Sequence, residues 1–140
     1  MSRIFWDTNL FIYLFEDYGK FSDRVSELRD KMLTRGDQLL TSTITLGEVL
    51  VKPAEKGDTD LCRRYEEAMA RTSTLLPFDI RAARVYGHIR GDHALRGPDA
   101  IQLACAASVG VDLFVTNDHR LHGKFVPGIQ FIVPLDQVPI

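Results

Sequence analysis

The sequence is short of cysteine and of long apolar runs, and each shortage argues against a class of protein. Its 140 residues include only Cys62 and Cys105, far apart in helix-like contexts, so we expect small core residues of a protein in a reducing compartment rather than disulfides. No apolar stretch reaches the ~18 residues of a membrane helix. Asp7 and Glu16 interrupt the N-terminal apolar stretch, which therefore does not read as a signal peptide. These absences predict a cytoplasmic protein with no membrane partner.

The chain also has little net charge. A formal charge of −2 does not indicate a nucleic-acid-binding protein, because such proteins are usually basic. The four acidic residues discussed below carry more negative charge than this net value, so a mildly basic surface around an acidic site remains compatible with the composition. The length, 45% hydrophobic content and 26% charged content predict one soluble globular domain spanning residues 1–140.

Short apolar runs alternate with helical patterns along the chain. The five predicted strands are residues 4–6, 39–40, 75–76, 113–116 and 131–133. The helical patterns between them end at residues such as Gly36 and Gly110, and Pro53 should limit the helix that Thr45 opens. Strands that alternate with helices predict crossover units and a parallel sheet, hence an α/β fold with three layers, helix, sheet and helix.

Acidic residues stand where this architecture gathers side chains. Asp7 follows the first strand and Asp118 follows the fourth. Glu48 is predicted in the first turn of the helix after the second strand, at the same edge of the sheet. Asp99 is predicted in the first turn of the helix that leads to the fourth strand, and it joins the others only if its loop folds back over that edge. Ligands of open α/β sheets bind at this carboxyl edge.

Each acid also has an ordinary structural explanation. Asp7 suits a helix N-cap and Asp118 an Asx-turn. Glu48 completes a capping box with Thr45, and Asp99 lies where a helix dipole favours an anion. Four independent caps at one edge of one sheet are a weaker explanation than a shared site.

Four carboxylates in one cleft repel each other, and a cation would relieve the repulsion. An all-oxygen ligand set without cysteine or histidine suits Mg²⁺ or Mn²⁺, as one ion or two. Such ions support hydrolysis of phosphodiesters. Short hydrogen-bonding side chains adjoin the acids and could hold them in position: Thr8, Asn9, Thr116 and Asn117.

Four motifs in order resemble one known family. They are Asp-Thr-Asn at residues 7–9, Thr-Leu-Gly-Glu-Val-Leu at 45–50, Pro-Asp-Ala-Ile-Gln-Leu-Ala at 98–104 and Thr-Asn-Asp at 116–118. Together they look like a PIN domain, and most of all like the VapC-type toxin ribonucleases of toxin–antitoxin pairs. The likeness extends from residue 4 to about residue 133.

The resemblance implies a fold, a site and partners. The fold would be a five-stranded parallel sheet flanked by helices. Asp7 and Asp99 would hold Mg²⁺ or Mn²⁺, Glu48 and Asp118 would complete the acidic pocket, and the Thr116 hydroxyl would help to order it. The family cleaves RNA, commonly as a homodimer, and a cognate antitoxin blocks the site.

Other interpretations remain open at this point. A stand-alone PIN-type RNA-processing nuclease, or a PIN fold that has lost catalysis, would share the motifs. A HAD-like phosphatase would want a second acid where Asn9 stands, and a receiver-like domain would use Asp79. His119 and His122, spaced i and i+3, could ligate a metal but are more often surface residues.

Overall fold

The computed structural model describes residues 1–140 and contains one five-stranded sheet. Its strands are β1 (Arg3–Trp6), β2 (Gln38–Ser42), β3 (Thr74–Leu76), β4 (Val111–Val115) and β5 (Ile129–Val133). All neighbouring strands are parallel, and their order across the sheet is β3-β2-β1-β4-β5. The predicted fold class, an α/β protein with a five-stranded parallel sheet, is confirmed.

Six helices and two short 3-10 turns connect these strands. The helices are α1 (Thr8–Phe15), α2 (Lys20–Arg35), α3 (Thr43–Glu55), α4 (Thr59–Thr72), α5 (Ile80–Ile89) and α6 (Gly97–Val109), and the 3-10 turns span His119–Leu121 and Leu135–Gln137. None of the helices combines the length and the apolarity that a membrane crossing requires.

The alternation of side chains along β1 divides the core into two layers, because successive strand residues point to opposite faces of a sheet. Ile4 and Trp6 pack on one face with side chains from α1, α2, α3 and α4. Phe5 packs on the other face with α5 and α6, and its ring stacks on Phe114 at 4.9 Å between centroids. Both faces are covered, as the apolar runs of β1 and β4 require.

Two local predictions about α3 are wrong. The helix begins at Thr43, and its N-cap is Ser42, whose hydroxyl accepts from the Thr45 amide at 3.3 Å. Thr45 is therefore inside the helix and forms no capping box with Glu48, which lies in the second turn and not the first. The helix also continues past Pro53 to Glu55, because the two residues beyond a late proline still complete the last turn.

The strand order creates a crevice at the carboxyl edge of the sheet. From β1 the chain continues to β2 on one side, whereas β4 lies on the other side. The connections after β1 and β4 thus diverge, which is the arrangement that opens a ligand site in α/β sheets. β1 ends at Trp6 and β4 ends at Val115, immediately before Asp7 and Thr116.

Candidate active site

A cleft of about 600 Å³ lies at this edge, and all four predicted acids line it. Asp7 follows β1, Asp118 begins the first 3-10 turn, and Asp99 is in the first turn of α6. Glu48 reaches the cleft from the second turn of α3. The loop of residues 90–96 therefore places the start of α6 over the sheet edge, which the sequence did not determine.

Asp7 is held through both of its carboxylate oxygens. Its Oδ1 accepts from the Thr8 amide at 2.8 Å, so the residue caps α1 as well as facing the cleft. Its Oδ2 accepts from the buried Thr116 hydroxyl at 2.7 Å. The N-cap predicted for Asp7 is therefore present, and the same side chain also lines the cleft.

The surroundings of Asp7 disfavour its negative charge. Burial raises the pKa of the Asp7 carboxyl from 3.8 to about 6, and the hydrogen bonds from Thr116 and Thr8 only partly oppose this shift. The nearby charges of Glu48 and Asp99 raise the pKa further. Four carboxylates and only two guanidinium groups line the cleft, so a cation placed beside Asp7 would be stabilised.

Glu48 is exposed and points across the cleft toward α1. Its Oε1 accepts from the Thr8 hydroxyl at 2.8 Å. Thr8 consequently links two predicted metal ligands, Asp7 through its amide and Glu48 through its hydroxyl.

Two arginines supply counter-charge to the other two acids. Arg120 donates to both oxygens of Asp118, at 2.9 Å and 2.5 Å, and its Nη2 lies 3.7 Å from Asp99 Oδ2. The Arg120 hydrogen bond holds the pKa of the Asp118 carboxyl below its usual value. Arg96 lies 3.5 Å from Asp99. With the side chains in these positions, no three His, Cys, Asp or Glu residues are grouped closely enough to hold a metal ion.

The donor set nevertheless fits a hard divalent cation. Four carboxylates line the cleft together with the oxygens of Thr8 and Asn9, and neither histidine nor cysteine lines it. Asp7 and Asp99 are half-buried, whereas Glu48 is exposed and accepts the hydrogen bond from the Thr8 hydroxyl.

Gln102 is a central polar residue of the site that the sequence analysis did not single out. It is 3% exposed, and its Nε2 lies 2.7 Å from Thr45 Oγ1, 3.2 Å from Thr8 Oγ1 and 3.4 Å from Asp7 Oδ1. Its Oε1 accepts from the Ser42 hydroxyl. Gln102 thus joins α6 to β1 and β2 beneath the acids. The available signal was a single amide side chain among the apolar residues that follow Asp99 in the sequence.

The remaining predicted residues brace the loops around the site. Asn9 Oδ1 lies 3.5 Å from the Asn117 amide, and Asn117 Oδ1 accepts from the Leu135 amide at 2.9 Å. His122 is bonded to the Thr116 carbonyl at 2.7 Å, and the His119 ring packs edge-on against it. Asp79, the phosphoacceptor of a receiver-like domain, caps α5.

The protein thus has an α/β fold with a parallel sheet, and a cleft lined by four carboxylates lies at the carboxyl edge of that sheet. A family model described as the PIN domain matches residues 4–124. This match covers most of the sequence, and the chain belongs to the PIN domain family.

Solved structures with the same fold come from toxin–antitoxin complexes. The chain is similar to VapBC2 from Rickettsia felis bound to promoter DNA, with 14% identity, a TM-score of 0.75 and coverage of 94% of this chain and 98% of that one. It is also similar to DNA-bound VapBC from Salmonella typhimurium, with 22% identity, a TM-score of 0.75 and coverage of 96% of this chain and 99% of that one. A third similar structure is a toxin–antitoxin complex from Klebsiella pneumoniae. Its identity is 24% and its TM-score is 0.63, and the match covers 90% of this chain and 94% of that one. No curated protein matches the chain by sequence.

Proposed function

We propose that this protein is an Mg²⁺- or Mn²⁺-dependent endoribonuclease, the toxin of a toxin–antitoxin pair, which hydrolyses RNA phosphodiester bonds in the cytoplasm. The observation that carries the proposal is the convergence of four acids, separated by up to 111 positions in sequence, on one cleft. Membership of the PIN domain family and the shared fold with VapBC structures support it.

The residues of the chain divide the work by position. Asp7, Asp99, Glu48 and Asp118 would hold one or two ions, which supply activation of water and neutralisation of phosphate charge. Thr116 and Thr8 fix the orientation of Asp7, and Gln102 fixes Thr8. Arg96 and Arg120 stand at the cleft wall, where guanidinium groups suit phosphate oxygens.

The partners of the proposed toxin are an antitoxin that blocks the cleft and a second copy of the chain. Structures of VapBC and toxin–antitoxin complexes share the fold over nearly the whole chain, which supports an antitoxin partner.

The test is RNA cleavage by the purified protein. We expect acid-soluble fragments from structured RNAs in Mn²⁺ or Mg²⁺, none in EDTA, and none from Asp7→Asn or Asp99→Asn with Mn²⁺ present. Asp30→Asn, the same change on an exposed residue of α2, should cleave like the wild type. Circular dichroism would show that both cleft variants are folded. Undiminished cleavage by both would refute the mechanism.

Induced expression in bacteria tests the toxin assignment separately. The wild type should arrest growth and Asp7→Asn should not. Cleavage in vitro without growth arrest would instead favour a stand-alone RNA-processing nuclease.

A further inference from the structure

A second cleft, of about 610 Å³, adjoins the acidic one on the side of α2. We call it the aromatic cleft. Tyr13 and Tyr18 line both cavities, so the two clefts are neighbours that share these two side chains. The hydrolysis proposed above does not use this surface.

Aromatic rings form one wall of the aromatic cleft. The rings of Tyr13 and Phe21 are stacked, 4.9 Å between centroids at 16°, and Tyr18 is tilted against Tyr13 at 5.5 Å. Tyr18 is 42% exposed and Phe21 is 48% exposed. Rings that are held by their neighbours and open to solvent are suited to stacking against another flat group.

Basic side chains also line the aromatic cleft. Lys20 and Arg24 line the aromatic cleft from the first two turns of α2, and His119 lines it beside Asp118. Neither Lys20 nor Arg24 forms a salt bridge. Asp136 is the only acid in the lining. The aromatic cleft therefore offers two cations without partners next to the acidic cleft.

We propose that the aromatic cleft binds the single-stranded RNA segment adjacent to the scissile phosphate, with an unpaired base on Phe21 or Tyr18 and phosphates at Lys20 and Arg24. Aromatic faces combined with free cations are the usual means of holding single strands, because every base has a flat face and every linkage a negative charge. The proposal rests on the ribonuclease function and specifies where its substrate continues beyond the acids.

The stacking part is tested by equilibrium binding of a fluorescein-labelled oligouridylate in EDTA, which removes the metal that the proposed cleavage requires. We expect Phe21→Ala and Tyr18→Ala to raise Kd roughly 5- to 100-fold, the contribution of one stacked base. Phe131→Ala is the matched control, since Phe131 is a 64% exposed aromatic residue outside both clefts. An abasic strand of equal charge should bind the wild type and Phe21→Ala alike.

The charge part is tested with the double variant Lys20→Gln with Arg24→Gln, which leaves the aromatic rings in place. This variant keeps the proposal testable even if the aromatic variants do not fold. The double variant should bind more weakly and lower the slope of log K against log salt by about 0.7 for each phosphate that is no longer neutralised. Lys31→Gln, an exposed residue farther along α2, should leave that slope unchanged.

The outcomes separate this proposal from the function on which it rests. Cleavage that needs Asp7, with Kd and KM unchanged in all the aromatic-cleft variants, would overturn the RNA subsite alone and leave the surface to a polypeptide partner. Binding that depends on Phe21, with no cleavage in any metal, would instead overturn the ribonuclease function.

Discussion

Three features of Asp7 have opposite effects on the stability of its negative charge: its hydrogen bonds favour the charge, whereas its burial and the nearby acids disfavour it. Asp7 caps α1, accepts the Thr116 hydroxyl and faces Glu48 and Asp99 across the cleft. A pKa of about 6 means that its charge at neutral pH costs up to ~3 kcal/mol relative to the unfolded chain. Functional sites often sacrifice stability in this way.

The pH dependence of stability follows from that raised pKa. A carboxyl whose pKa is higher in the folded than in the unfolded chain destabilises the fold at neutral pH, and the penalty disappears as pH falls through about 6 toward 3.8. Without metal, Asp7→Asn should therefore be about 1–3 kcal/mol more stable than the wild type at pH 7.5 and nearly equal to it at pH 4.

Urea denaturation at the two pH values measures this difference. Asp30→Asn controls for the removal of one negative charge. A constant gap between wild type and Asp7→Asn at both pH values would contradict the assignment of the shift to Asp7.

Arg120 should oppose metal binding, because its guanidinium lies against two predicted metal ligands, Asp118 and Asp99. A divalent ion that uses those carboxylates must compete with it. Since Arg120 is exposed, its ion pairs are weak, and Arg120→Ala should tighten Mn²⁺ binding by no more than about fivefold.

Calorimetric titration with Mn²⁺ tests this expectation without an activity assay. Arg84→Ala, an exposed arginine of α5, should bind Mn²⁺ as the wild type does. Weaker binding by Arg120→Ala than by Arg84→Ala would show that Arg120 supports the ion instead of competing with it.

At the scale of elements, the close approach of α6 to the turn into β5 supports the position of β4. Gly128 has φ +100°, and a Cβ there would lie 2.5 Å from the Ala107 carbonyl oxygen. Its own carbonyl accepts from the Val111 amide, where β4 begins. Only glycine fits this position, since both the backbone conformation and the space exclude a side chain.

Gly128→Ala should therefore lower the free energy of unfolding by about 2–4 kcal/mol. Gly123→Ala is the matched control, because Gly123 also has positive φ (+81°) but nothing within 4 Å of its Cβ position. The control should show only the conformational penalty, about 1–2 kcal/mol. Equal decreases in thermal or urea unfolding would show that the backbone at Ala107 relaxes without cost.

For the whole molecule, the sequence predicted the layers better than the details of the site. All five strands and their parallel arrangement were predictable because apolar runs and helical periodicity are local signals. The positions of Asp7 and Asp118 in the cleft were predictable for a related reason, since the carboxyl ends of parallel strands necessarily share an edge.

What the sequence did not predict depends on packing between distant segments. Glu48 was expected in a capping box with Thr45, yet Ser42 is the N-cap of α3, and its hydroxyl accepts from the Thr45 amide. Gln102 and the pairing of Arg120 with two acids depend on how α6 crosses the sheet edge, which no local pattern encodes. The aromatic wall formed by Tyr13 and Phe21 likewise requires the angle between α1 and α2.

The position of β4 between β1 and β5 has a consequence during protein synthesis. A nascent chain that ends before residue 111 lacks the strand that lies beside β1, and it also lacks Thr116 and Asp118. While the polypeptide is still being translated, its first 110 residues cannot assemble the acidic cleft. The hydrolysis proposed above would thus be absent until most of the chain has been translated.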